Sequence, residues 1–135
     1  MTTPDPDDPL VRAFEAAAVD PATFGHREHL YVAWWYLSRL PLEEALARYV
    51  RHLRRLTEVL GVPDKYHATI TWTWMLVVHG AMQEPRLQGC DFETLLREVP
   101  ALLQRGTLLT FYDRSELDSD EARRRFVLPR ARLSG

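Results

Sequence analysis

Three of the five histidines in this 135-residue chain stand where helices are predicted to begin. His26 and His29 lie in the stretch FGHREHLYVAWWYLSRL, and His67 stands near the start of a later stretch, YHATITWTWMLVV. Imidazoles at positions i and i+3 share one face of a helix, so both rings can reach one ligand. The helix dipole disfavours imidazolium at this end, which predicts neutral rings near pH 7. Neutral imidazole can bind a metal or accept a proton.

Three interpretations of these histidines follow from their residue type and position. In the first, all three bind a divalent metal, with zinc, iron or manganese as candidates and a fourth position left open. In the second, they bind a small ligand or act as catalytic general bases without a metal. In the third, they are structural residues that cap helices or form hydrogen bonds in the core. A carboxylate would complete the metal set, and the candidates are Glu28, Asp64, Asp113 and Glu116.

Polar residues beside these histidines predict that the ligand is a small anionic metabolite. Hydroxyl groups at a helix start can bond an anion, and basic side chains would add positive charge at the same place. Helix capping and solvated charges are the alternative explanation of the same residues. The predicted ligand-binding residues are Tyr66, Thr69, Thr71, Arg27 and Lys65.

Helices are predicted for all the elements that position the histidines. Apolar residues between Leu42 and Leu60 recur at steps of three and four, which is typical of an amphipathic helix that Gly61 ends. Asp8 and Pro9 mark an N-cap and a first helical position. In an up-down bundle the second and fourth helices run parallel, so their histidines meet at one pole. The four main helices are predicted over residues 10–19, 26–39, 42–60 and 68–83.

Shorter helices are predicted after the fourth one. Asp91 caps the first of them, Pro100 begins another that Gly106 ends, and Ser119 caps the last. We therefore predict an all-α fold, a single-domain helical bundle of four main helices with short C-terminal helices wrapped over it. The domain spans residues 9–128, between a disordered tail at 1–8 and a frayed tail at 129–135.

The apolar stripe of the second helix contains both of its histidines and leaves two aromatic residues outside. Tyr31 and Trp35 point the other way, which indicates either a dimer interface or cover by the C-terminal segment, and we favour the cover. The fourth helix is apolar nearly all round, so it is predicted to be the central buried helix. His52 and His79 fall outside the predicted site.

Composition excludes several classes of protein. The net charge of -2 argues against general nucleic-acid binding. Cys90 is the only cysteine, which excludes an internal disulfide and fits a reducing compartment. No apolar run reaches the ~18 residues that a membrane helix needs, and the acidic, proline-rich N-terminus differs from a signal peptide. A cytoplasmic location without membrane association is therefore expected.

The pattern Phe24-x-His26-x-x-His29-Leu30, with Tyr66-His67-x-Thr69-Ile70-Thr71, resembles a family of small bacterial α-helical proteins of uncharacterised activity. The stretch LLTFYDRSELDSDEARRRFVLP also resembles that family's C-terminal signature. The resemblance covers most of the chain from Phe24 onward and implies a shared architecture without naming a reaction. Ala68 departs from the family pattern, where an acidic residue is more usual, and this departure puts any activity carried by that position in doubt.

Two classes of function remain open from the sequence. The favoured hypothesis is a small protein with a histidine-lined polar pocket at one end of the bundle, acting on or binding an anionic metabolite. In its enzymatic form the catalytic residues, or the metal ligands, are His26, His29 and His67. The alternative is a non-catalytic interaction module, a homodimer being one form of it, that uses either the surface around Tyr31 and Trp35 or the basic face of the third helix.

Overall fold

The computed structural model describes residues 4–129, and within this range the chain is helical without a β-strand. The all-α prediction is therefore confirmed. The α-helices are α1 (Pro9–Glu15), α2 (His26–Arg39), α3 (Leu42–Val59), α4 (Ala68–Met82), α5 (Phe92–Glu98), α6 (Arg114–Leu117) and α7 (Asp120–Arg124). Short 3-10 helices connect them at Pro63–Lys65, Pro85–Leu87, Pro100–Leu103 and Arg105–Thr110. Helix α2 packs against both α3 and α4, while α7 packs against α4.

Local capping signals account for most of the helix starts. The Asp8 carboxylate accepts hydrogen bonds from the backbone amides of Leu10 and Val11, with Pro9 in the first turn. Asp91 caps α5 and Ser119 caps α7 through equivalent bonds. These three predicted N-caps are confirmed, because each depends only on a few neighbouring residues.

Two predicted helix ends are wrong. Helix α1 stops at Glu15 rather than Val19, and Ala17 takes a left-handed backbone with φ of 55°. The 3-10 helix that begins at Pro100 ends at Leu103 rather than at Gly106, which lies inside the next 3-10 helix, Arg105–Thr110.

The two tails were predicted from composition and fall partly outside the described residues. Residues 1–3 and 130–135 are not described. Within the predicted N-terminal tail, residues 4–8 run along α2, and the Trp35 indole nitrogen donates to the Asp5 carbonyl at 2.8 Å. The Tyr31 hydroxyl bonds the Asp8 carboxylate.

Trp35 is therefore buried within its own chain, at 8% exposure, and Tyr31 is half-buried. The predicted cover by the C-terminal segment is wrong for Trp35, which the N-terminal segment covers, whereas the Tyr31 ring also packs edge-on against Phe92 of α5, with 5.2 Å between centroids. The exposed aromatic surface that one form of the interaction-module hypothesis required is therefore not present in residues 4–129, whereas the form that uses the basic face of the third helix stays a prediction.

Helix α4 also differs from its predicted role. Leu76 is 38% exposed, whereas Thr69, Thr71 and Thr73 are buried. The helix is central, with α2, α3 and α7 around it, but its buried side includes threonines as well as apolar residues. Buried hydroxyls need hydrogen-bond partners, and Thr69 finds them in the C-terminal segment.

Candidate functional site

A cavity of about 620 Å³ lies where the N-termini of α2 and α4 meet the second half of α3. His26, His29 and His67 all line it, so the structure brings the three predicted histidines to one place. The 3-10 helix Arg105–Thr110 and the start of α6 complete the wall. A volume of this size matches the range of pockets that hold small organic ligands, about 300–1,000 Å³.

The cavity is apolar inside and basic at its edge. Leu30, Ala33 and Met75 line it and are almost fully buried, at 2%, 3% and 0% exposure. Lys65 and Arg105 line it as exposed residues, as does the arginine that begins α6, Arg114. Among the described residues no aspartate or glutamate lines it. The predicted polar pocket is thus largely apolar, and its polar lining consists of the histidines, the basic residues and the hydroxyl groups of Tyr49, Thr57, Tyr66 and Thr71.

The three basic residues at the edge, Lys65, Arg105 and Arg114, form no ion pair within residues 4–129 and donate no side-chain hydrogen bond there. We call these three residues the rim cations. Arg105 lies close enough to His26 and His29 for its charge to lower the pKa of both. The rim cations therefore place unpaired positive charge at the entrance to an apolar space.

His29 is held neutral by its surroundings. Burial, with smaller contributions from His26 and Arg105, lowers the pKa of His29 from 6.5 to about 4. Its Nδ1 lies 3.1 Å from the Tyr49 hydroxyl, and its ring packs edge-on against Phe24 with 4.6 Å between centroids. The lowered pKa agrees with the predicted neutral ring, but its main cause is burial rather than the helix dipole.

The His29–Tyr49 contact also indicates which ring nitrogen carries the proton. Tyr49 is buried, its pKa is raised by burial, and within the described residues its hydroxyl bonds only His29. A buried hydroxyl proton without an acceptor is costly, by about 1–3 kcal/mol. We infer that Tyr49 donates to Nδ1, so that the proton lies on Nε2. No residue in the described part of the chain bonds that Nε2, which is therefore a donor available to a ligand.

His26 forms the second polar contact of the cavity wall. Its Nε2 donates to the Leu102 carbonyl at 2.8 Å, because a carbonyl oxygen can only accept. Burial lowers the pKa of His26, and the nearby Arg105 lowers it further, although the bond to Leu102 acts in the opposite direction. The ring packs edge-on against Trp74, with 4.6 Å between centroids. In the neutral ring Nδ1 remains an acceptor, and residues 4–129 supply no partner for it.

His67 has no such free nitrogen. Its Nδ1 accepts the backbone amide of Ile70 at 3.1 Å, which caps α4, and its Nε2 donates to the Leu117 carbonyl at 2.6 Å. Both ring nitrogens are used within the fold. His67 is therefore a structural residue that joins the start of α4 to α6, and neither nitrogen can ligate a metal or accept a proton without breaking one of these bonds.

The geometry does not support the metal hypothesis for His26, His29 and His67. Within residues 4–129 no group of three or more histidine, cysteine, aspartate or glutamate side chains is placed so that it could hold a metal ion. The proposed carboxylate ligands also lie away from the cavity wall. These are Glu28, Asp64, Asp113 and Glu116.

Of the predicted ligand-binding residues, Tyr66, Thr71 and Lys65 line the cavity, whereas Arg27 and Thr69 do not. Arg27 pairs with Glu93 and lies over the Phe92 ring, away from the histidines. The Thr69 hydroxyl donates to the Arg125 carbonyl and accepts the Val127 amide. Arg27 and Thr69 do lie in the first turns of their helices, as predicted, but their side chains point away from the cavity.

The sequence reasoning missed Arg105, Arg114 and Tyr49. Tyr49 was assigned to the apolar stripe of α3, where its hydroxyl gives no signal of a partner. The two arginines lie in or beside the segment LLTFYDRSEL, whose resemblance to a family signature was the available hint that it approaches the histidines. His52 and His79 do not line the cavity.

Comparisons of the chain with models of protein families, with characterised proteins and with solved structures found no match. No helix within residues 4–129 combines the length and apolar character needed to cross a membrane. The geometry of the cavity is therefore the basis on which a function is proposed.

Proposed function

We propose that the protein binds a small organic anion in the cavity at the N-termini of α2 and α4. The observation that carries the proposal is the charge of the cavity wall: three unpaired rim cations, Lys65, Arg105 and Arg114, and no lining carboxylate within the described residues. We further infer that α1–α4 act as one bundle, with the C-terminal helices covering the pole that carries the cavity.

Rim charge alone would give little affinity, because an exposed ion pair is worth only about 0–1 kcal/mol. The half-buried imidazoles add to it. His29 supplies an Nε2–H donor at the cavity wall, and Arg105 lies near it. A carboxylate that accepts from both would make charge-assisted hydrogen bonds partly shielded from water, each worth roughly 1.5–3 kcal/mol.

The proposal assigns the histidines to binding rather than to proton transfer. A general base works best when its pKa is near the working pH, and the pKa of His29 is about 4. His67 uses both nitrogens in structural bonds. The enzymatic form of the sequence hypothesis is therefore the second candidate, carried only by the free Nδ1 of His26. The bacterial-family resemblance and a cytoplasmic location remain predictions.

Benzoate binding at low ionic strength tests the proposal, with isothermal titration calorimetry as the readout. Arg105→Gln should weaken binding about tenfold, the loss expected when one charge-assisted bond is removed. The matched control is Arg51→Gln, which replaces an exposed arginine that does not line the cavity. Equal affinities for the two variants would refute the proposed site, and so would a complete absence of benzoate binding.

A further inference from the structure

The lining of the cavity changes from charged to apolar with depth. The exposed lining residues include Lys65, Arg105 and Arg114, and the deeply buried ones include Leu30, Ala33 and Met75. His26 and His29 lie between these two sets, since both are half-buried. A ligand that fills this space must therefore present an anionic group at the edge and an apolar body inside.

We propose that the ligand is an amphipathic monocarboxylate, whose carboxylate lies at Arg105 and His29 and whose hydrocarbon chain fills the interior beside Leu30, Ala33 and Met75. This inference rests on the proposed function and specifies its ligand class. A short, fully hydrated anion would leave most of the roughly 620 Å³ unused. A purely apolar ligand would leave the rim cations and the His29 donor without a partner.

The interior lining favours a chain rather than a second polar group. Leu53 and Leu56, from the second half of α3, line the cavity and are buried, at 9% and 4% exposure. They add to the apolar wall formed by α2 and α4. Among the described lining residues, the polar groups that belong to α3 are Tyr49, which bonds His29, and Thr57, whose hydroxyl donates to the Arg54 carbonyl. A second polar group on the ligand would therefore find few partners on α3, and the hydroxyl groups of Tyr66 and Thr71 are the remaining ones among the described residues that line the cavity.

Calorimetric titration with butanoate, hexanoate, octanoate and decanoate tests the chain. Each methylene moved from water into an apolar space is worth about 0.8 kcal/mol, which corresponds to roughly fourfold in affinity. Affinity should rise by about that factor per methylene until the cavity is full, with a negative heat-capacity change. Octan-1-ol, which keeps the chain and lacks the charge, should bind at least tenfold more weakly than octanoate.

Two variants test whether the hydrocarbon chain of the ligand lies inside the cavity. Ala33→Val narrows the buried wall and should weaken the binding of decanoate more than that of butanoate, and Met75→Ala should move the optimum to a longer chain. Thermal unfolding checks that each variant is folded. If neither folds, the chain-length series on the natural protein decides the matter by itself.

The outcomes separate this inference from the proposed function. Equal affinity for butanoate and decanoate, with both weakened by Arg105→Gln, would overturn the amphipathic ligand and leave anion binding in place. Equal affinity for octan-1-ol and octanoate would overturn both the anion site and the carboxylate assignment, and show an apolar pocket instead. No binding of any of these probes would overturn both proposals.

Discussion

Burial of a neutral histidine at the cavity makes folding stability depend on pH. The pKa of His29 is about 4 in the fold, against 6.5 for an ordinary histidine, so between these values the unfolded chain binds more protons than the folded one. Stability therefore falls as the pH decreases through this window. For this group alone, the free energy of unfolding should be about 2 kcal/mol lower at pH 5 than at pH 7.

His29→Gln isolates that contribution. The substitution removes the titrating ring and keeps a polar side chain. Between pH 7 and pH 5 the free energy of unfolding of the variant should therefore fall by about 2 kcal/mol less than that of the natural protein. Urea unfolding followed by tryptophan fluorescence at both pH values measures the difference. Because burial also lowers the pKa of His26 and of His52, some pH dependence should remain in the variant.

The matched control is Tyr49→Phe, which removes the hydroxyl bonded to His29 and leaves the ring covered. This variant should be less stable at pH 7 by about 1–3 kcal/mol, since the ring nitrogen loses a buried partner. Its decrease in stability between pH 7 and pH 5 should persist, because the main cause of the lowered pKa is burial. An unchanged decrease in His29→Gln would refute the reasoning, since the titrating group would then be another one.

Three further variants test individual hydrogen bonds of the fold. Thr69→Val should lower the free energy of unfolding in urea by about 1–3 kcal/mol, because the Arg125 carbonyl and the Val127 amide lose their partner. Thr71 is also buried, but the described residues form no such bonds with its hydroxyl. Thr71→Val should therefore cost less. Equal losses would show that the Thr69 bonds contribute nothing. Asp91→Ala should cost about 1 kcal/mol through the lost cap of α5, and an unchanged midpoint of denaturation would contradict that role.

Signals confined to a few neighbouring residues made most of the fold predictable. Asp8 with Pro9, and Ser119 before an acidic turn, specify helix starts by short-range hydrogen bonds, and the structure contains both. The bounds of α2 follow in the same way, because the Glu28 carboxylate accepts the Gly25 backbone amide at one end and Pro41 lies beyond the other.

Contacts between distant segments were not predictable from these local signals. The periodicity of α2 places Trp35 outside the core stripe, but it cannot show that residues 4–8 return to cover that ring. The position of Thr69 at a helix start is equally compatible with a ligand and with the C-terminal segment that it binds. Tertiary packing decides both cases.

The candidate site was predictable in position more than in role. The pattern located His26, His29 and His67 at one pole, and all three line one cavity. It could not show which ring nitrogens are free to bind a ligand, because two of them bond the Leu102 and Leu117 carbonyls, which lie 76 and 50 residues away along the chain. The apolar interior of the cavity forms where three helices pack together, and the periodicity of each helix alone does not predict it.

An anion bound with its carboxylate at Arg105 and His29 and its apolar body in the interior should perturb His26 and His29, while His67 stays in its structural hydrogen bonds. Long-range ¹H–¹⁵N correlation spectra of the imidazole rings, recorded during titration with decanoate, test it most directly. The ring nitrogen signals of His26 and His29 should shift, and those of His67 should keep the pattern of a neutral ring protonated at Nε2. Unchanged signals from His26 and His29, or shifts at His67 as large as theirs, would contradict it.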